Sequence, residues 1–255
     1  MKKTIIAILA HKPYDVPNEG IYLPLEVGAA LHEKRAFPTR DNEGDNISEK
    51  NLSFCELTGI YFAYKNLEYD VLGFDHYRRY FLDRNCQRKM RKETLLREET
   101  IDRLLENHDF ILPKKRHYYI ESNYSHYIHA HKREALDKTG EIIAEVYPDY
   151  VPAFQKHMKA RSGHYLNMFI GRKEVVKGYL DFMFDILFRL EKQINLDEYQ
   201  GEDRRVFGFV SELLLDVYIQ TNHLTFVDQR YAFTEKQNWF KKIFRFVARK
   251  FGGKR

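Results

Sequence analysis

Two short apolar runs constrain this chain most. Thr4 to Ala10 carries no charge over seven residues, and Val71 to Phe74 none over four. Runs this short read as buried strands rather than helices, the first covered on both faces. Between them Leu57, Ile60, Tyr61 and Tyr64 fall at helical spacing, with Ser53 as the predicted helix start and Glu56 as its capping-box partner. Strand, loop, helix, strand is the elementary unit of an α/β sheet. Both runs end abruptly in charge: His11-Lys12 after the first, and Asp75-His76-Tyr77-Arg78-Arg79-Tyr80-Phe81 after the second. Ligands of open α/β sheets bind beyond the carboxyl ends of the strands.

Adjacent arginines offer planar forks that match phosphate oxygens, and flanking tyrosines can stack on a base or sugar. Arg78 and Arg79, with His76, His11 and Lys12, therefore read as contacts to a nucleotide or nucleotide-sugar. The same residues also fit an arginine pair salt-bridged to surface acids, and the local sequence leaves both open. Asp45, beside Gly44, suits a metal, a ribose hydroxyl or an ordinary turn. His164 and Asn167 flank another apolar run, where imidazole and amide groups bond sugar hydroxyls or cap a strand. Arg205, Gly208 and Glu212 share one face of a predicted last core helix. A carboxylate among apolar residues is costly unless paired, so Glu212 with Arg205 reads as a ligand clamp or as a structural ion-pair network. Asp75-His76 lacks the second carboxylate of an Asp-x-Asp motif, so a divalent metal (Mg or Mn) is possible there without clear support, and no metal ligand is assigned.

Further elements follow the same patterns. Asp109–Pro113 reads as a strand stopped by proline, and Lys114 to Tyr119 again loads a strand end with cations and aromatics. Helical patterns surround Ile101, Leu104 and Leu105, span Ala135–Val146, and run from Val176 to Leu190. The segment His11–Lys50, rich in Pro, Gly, Asn and charge, reads as a long functional loop. Lys2-Lys3 before the first run resembles the start of a signal peptide, but a first strand is the better reading, and no stretch is long enough to span a bilayer. Cys55 and Cys86 are expected as free thiols.

At 255 residues and a formal net charge of +5, the chain has a basic excess concentrated in Arg84–Arg97 and after Lys236. That excess favours anionic partners, and no nucleic-acid-binding signature accompanies it. No P-loop, dinucleotide-binding fingerprint or nucleophile-elbow serine is present. In the tail, Phe240, Ile243, Phe244, Val247 and Phe251 fall on one side of a helix flanked by Lys and Arg, a pattern suited to anionic lipid.

Taken together, these blocks resemble the domain-of-unknown-function 4422 family, found in capsule, O-antigen and exopolysaccharide gene clusters and regarded as glycosyltransferases. The resemblance rests on His11-Lys12, Ile21-Tyr22-Leu23-Pro24-Leu25, Gly44-Asp45-Asn46-Ile47-Ser48, Phe54-Cys55-Glu56-Leu57-Thr58-Gly59, His76 to Phe81, Gly163-His164-Tyr165, Asn167-Met168-Phe169-Ile170, and Arg205 to Phe209 with Ser211-Glu212. It covers roughly Thr4 to Glu235. The resemblance implies an α/β fold: one GT-A-like nucleotide-sugar transferase domain over residues 1–235, with a mixed sheet flanked by helices; the tail's own pattern adds a basic amphipathic C-terminal helix in residues 236–255. It implies a hexosyltransferase moving sugar from a nucleotide-diphosphate donor, a UDP-sugar, to a polysaccharide or lipid-linked oligosaccharide. The site it implies has Glu212, Asp45 and Arg205 as catalytic residues and His11, Lys12, His76, Arg78, Arg79, His164 and Asn167 on the donor. The expected location is cytoplasmic, on the inner face of the bacterial membrane. Asp75 departs from the family pattern, which has an uncharged residue there. The alternative is a non-catalytic nucleotide- or carbohydrate-binding module, or a peripheral scaffold of a polysaccharide assembly system.

Overall fold

The computed structural model describes residues 2–83 and 94–234. The C-terminal amphipathic helix, Cys86 and most of the Arg84–Arg97 basic segment lie outside the described residues. The first apolar run forms β1 (Thr4–Ala10), buried at every position, and the second forms β4 (Val71–His76). They pair in parallel, Thr4 opposite Val71 and Leu9 opposite His76. The near-continuous burial of β1 is what a central strand covered on both faces requires.

Among the described residues the main sheet has nine strands. Its path runs β10 (Phe226–Gln229), β6 (Phe110–Pro113), β9 (Ile170–Arg172), β4, β1, β2 (Tyr22–Glu26) and β3 (Thr39–Arg40). β1, β2, β3 and β4 are parallel, and β6 and β10 share their direction because both β4 and β6 run antiparallel to β9. β5 (Arg79–Phe81) hairpins back on β4, and β11 (Tyr231–Phe233) pairs with β5. The sheet is thus mixed and flanked by helices, as expected. A separate two-stranded ribbon joins β7 (Arg116–His117) to β8 (Ser162–Gly163).

The helices are α1 (Asn51–Phe54), α2 (Leu57–Asn66), α3 (Glu98–Leu105), α4 (Asn123–Ala130), α5 (Arg133–Val146), α6 (Val151–Lys159), α7 (Lys173–Glu191), α8 (Val206–Ser211) and α9 (Leu215–Thr221). Two glycines set how closely layers approach. A Cβ on Gly59 of α2 would lie 2.5 Å from Val27 Cγ1, and one on Gly73 of β4 would lie 2.6 Å from Ile170 Cγ1. The long α7 buries Val176, Tyr179, Met183, Ile186, Leu187 and Leu190, the positions its periodicity indicates.

Three expectations are corrected. The loop predicted over His11–Lys50 contains β2 and β3, and buried Asp41 pins it by accepting the Gly28 and Ala29 N–H groups at 2.8 and 2.9 Å. Ser53 lies inside α1, and its hydroxyl donates to the Lys50 carbonyl; the chain then breaks at Cys55 (φ 52°), and Glu56 makes no capping bond. The single last helix is two, with a turn at Glu212–Leu214 between α8 and α9. Among the described residues no helix is long and apolar enough to cross a membrane.

Candidate functional site

The parallel strands put the ends of β1, β4 and β6 on one edge, and the antiparallel β9 starts there. Residues from six separate stretches meet at this edge. After β1 comes His11, whose ring packs edge-on to Tyr77 with centroids 5.1 Å apart. Tyr14 stacks on Tyr77 at 4.1 Å, the Arg78 guanidinium lies 4.7 Å from the Tyr77 ring, and Lys12 Nζ lies 5.2 Å from Tyr14. A flat aromatic pair thus sits between cations.

Electrostatics confirm how positive this corner is. Burial lowers the pKa of His76 to about 2, and Arg79, Arg78, His11 and Arg205 push the same way. His76 is therefore a neutral imidazole. Its Nδ1 accepts the Arg78 N–H at 3.3 Å, which leaves the proton on Nε2 as a donor. His11 is also lowered, by burial first and then by Lys12 and Arg78. Burial pushes the Tyr14 phenol up, but hydrogen bonds from Lys12 and Arg78 outweigh it and bring the phenol down to about 8. Beneath them Asp75 is 1 % exposed; Oδ1 accepts the Phe81 N–H at 3.2 Å, and Oδ2 has no hydrogen-bond partner. Burial holds its carboxyl well above the usual range, against the Phe81 N–H and Arg79. An uncharged acid there braces the β4–β5 hairpin that presents Arg78 and Arg79.

Beside the cations stands a pair of carboxylates. Glu212 Oε1 accepts the Leu166 N–H at 3.0 Å, and Glu56 Oε1 accepts Asn167 Nδ2 at 3.0 Å. Asn167 Nδ2 also donates to the Gly208 carbonyl at 3.3 Å, and its Oδ1 accepts from Ser211 Oγ at 3.0 Å. Leu166 and Asn167 hold φ of 87° and 49°, and Cys55 beside Glu56 holds 52°. Left-handed backbone at non-glycine residues costs on the order of 1–3 kcal/mol each, so the surrounding bonds must hold it. The strain aims two consecutive residues at two different carboxylates. Burial raises the Glu212 carboxyl, the Glu56 charge raises it further, and Arg116, Arg79 and the Leu166 N–H oppose. Arg205 Nε donates to Cys55 Sγ at 3.2 Å, and burial pushes that thiol up to about 11.

Of the residues singled out in the sequence, His11, Lys12, His76, Arg78, Arg79, Asn167, Arg205 and Glu212 gather at this edge. Asp45 does not. Its N–H donates to Asn66 Oδ1 at 2.9 Å and its Oδ1 accepts from Tyr61, at the C-terminal end of α2. Ten helical residues, about 15 Å, separate that end from Glu56. His164 is near Asn167 in sequence but closed in. Its Nδ1 lies 2.6 Å from Asp216 Oδ1, its Nε2 lies 3.0 Å from Asp228 Oδ1, and its side chain is 0 % exposed. Sequence reasoning misses Tyr14, Glu56 and Arg116 as site residues. The loaded strand end at Lys114–Tyr119 is the available signal for Arg116. Among the described residues no group of three or more His, Cys, Asp or Glu is arranged to hold a metal ion.

Comparison with solved structures finds the apo structure of WbbM, a bifunctional glycosyltransferase. The TM-score is 0.85 at 30% identity, covering 92% of this chain and 46% of that one. The chain thus spans about half the length of the protein it matches. No curated protein matches its sequence. The model of a domain of unknown function, DUF4422, matches residues 5–223. With most of its length inside that match, the chain belongs to the DUF4422 family.

Proposed function

We propose that the chain is a glycosyltransferase taking a sugar from a nucleoside-diphosphate donor, a UDP-sugar, to a polysaccharide or lipid-linked oligosaccharide acceptor. The observation that carries this is the strand edge itself, where a cationic corner with a stacked aromatic pair stands beside two carboxylates. The likeness to a bifunctional glycosyltransferase supports the same class.

In the reaction the bond from the sugar's anomeric carbon to the diphosphate breaks, and its electron pair stays on phosphate oxygen. Arg78, Arg79 and Lys12 stabilise that growing charge, and neutral His76 donates from Nε2. The acceptor oxygen forms the new bond to the anomeric carbon, and its proton passes to Glu212. A carboxylate made more basic by burial and by Glu56 suits that role. Tyr14, half-buried and stacked on the buried Tyr77, offers a face for the base. Acceptors of capsule and O-antigen assembly put the reaction at the cytoplasmic face of the membrane, and the basic tail from Lys236 supplies attachment to anionic lipid.

Incubation of the purified full chain with a panel of nucleotide-sugars tests this. Release of nucleoside diphosphate from one donor, rising with added acceptor oligosaccharide, is expected. Binding of a donor with no turnover under any acceptor would instead support a non-catalytic module.

A further inference from the structure

The ribbon of β7 and β8 carries at its tip a feature that glycosyl transfer does not explain. Tyr119 is 78% exposed and Ile120 is 57% exposed, the one adjacent pair of large apolar side chains left in solvent among the described residues. The exposure is built in. Tyr119 holds φ of 60°, where glycine would be at ease and a bulky residue is not. Three bonds keep it there: Tyr118 N–H to the Arg161 carbonyl at 2.8 Å, Ile120 N–H to the Tyr118 carbonyl at 2.6 Å, and Arg161 Nη1 to the Tyr119 carbonyl at 3.1 Å. Beneath the tip the Tyr118 ring stacks on His126 at 3.7 Å.

The collar of the tip is cationic. Lys114, Lys115 and Arg161 are all exposed, and no acid occurs between Phe110 and Ile120. Glu121 is 5% exposed and faces two imidazoles, His126 Nδ1 at 2.9 Å and His129 Nδ1 at 2.8 Å. The position of the ribbon fits the same picture. β7 follows β6 on the strand edge of the candidate site. Thr234, the last described residue before the basic tail, is on that edge too, its N–H donating to the Arg78 carbonyl at 3.0 Å.

We infer that Tyr119 and Ile120 form a foot that inserts into the interface of an anionic bilayer, with the flanking Lys and Arg on the headgroups. An aromatic ring and an aliphatic chain aimed outward inside a cationic ring match a lipid surface on both counts, apolar depth and charge. A sugar platform would use the tyrosine and leave the isoleucine without purpose. The foot turns the mouth of the site toward the membrane, where a lipid-linked acceptor would lie. It stands on the tip's own geometry and does not depend on the donor reaction.

The test uses the full chain with phosphatidylcholine vesicles, with and without one quarter phosphatidylglycerol, at moderate salt. Tyr119→Gly/Ile120→Ser relieves the left-handed strain, so it should fold as well as the parent. It is expected to bind anionic vesicles about tenfold more weakly and to retain hydrolysis of a soluble donor. Lys114→Gln/Lys115→Gln should lose affinity for the anionic vesicles alone, since each cation near such a surface is worth about fivefold. Independently of the tail, Tyr119→Trp in a Trp239→Phe background should be quenched by lipids brominated near the headgroup. Unquenched indole fluorescence from that variant, unchanged vesicle affinity, or a parent that binds no vesicles would each overturn the foot. Loss of oligosaccharide binding without loss of vesicle binding would also overturn it and assign the tip to sugar.

Discussion

Glu212 takes its acidity from neighbours that can be removed one at a time. Burial and the Glu56 charge raise its pKa, whereas Arg116 and Arg79 lower it. If Glu212 accepts the acceptor's proton, Glu212→Gln should lower kcat by about 10²–10⁴-fold while the melting temperature stays close to the parent's. A stable, fully active Glu212→Gln enzyme would remove it from the chemistry. Glu56→Gln takes away a negative neighbour, so the Glu212 pKa must fall. The acid limb of the kcat/KM–pH profile should then move to lower pH, and a limb that stays put or moves up would show that Glu56 does not face Glu212. Glu212 is legible in the sequence as a carboxylate among apolar residues. Glu56 reads there as a helix cap, because its spacing from Ser53 matches a capping box and nothing local reveals the break at Cys55.

At the scale of elements, the β4–β5 hairpin is held partly by an uncharged acid. Asp75 has its carboxyl raised in the fold, chiefly by burial, above an unfolded value near 3.8. A raised acid binds its proton more tightly when folded, so its stabilisation is present at low pH and is lost as pH rises from the unfolded value through the folded one. Asp75→Asn removes that loss. Its melting temperature should exceed the parent's at pH 7 by about 2–4 °C for each kcal/mol regained, and the gap should narrow toward pH 4. An equal difference at both pH values would show that Asp75 is not the titrating group. β1, β4, β6, α5 and α7 are readable in the sequence because each carries an apolar run or a full helical stripe. β2 is not, since Pro24 interrupts a five-residue strand, and its place beside β1 is fixed by long-range pairing.

Across the whole molecule the acid response has a second source. His11, His76 and His157 are all lowered by burial, so the unfolded chain takes up protons below about pH 6.5 that the folded chain refuses. Their contribution to stability should therefore fall as pH drops from 7 to 5, opposite in sign to that of Asp75, and thermal melts across that range should show His157→Gln losing less, or gaining more, on acidification than the parent. The gathering of six separated stretches at one strand edge also belongs to this scale. The sequence shows cations at three strand ends, but only the shared direction of β1, β4 and β6 brings them together with α8. Whether this edge holds a donor's diphosphate is the central question, and calorimetric titration of uridine diphosphate into the parent and into Arg79→Ala answers it most directly. The expected result is saturable binding by the parent that weakens more than tenfold in the variant, with the fold intact by circular dichroism. Equal affinity in the two proteins, or no binding by the parent, would contradict it.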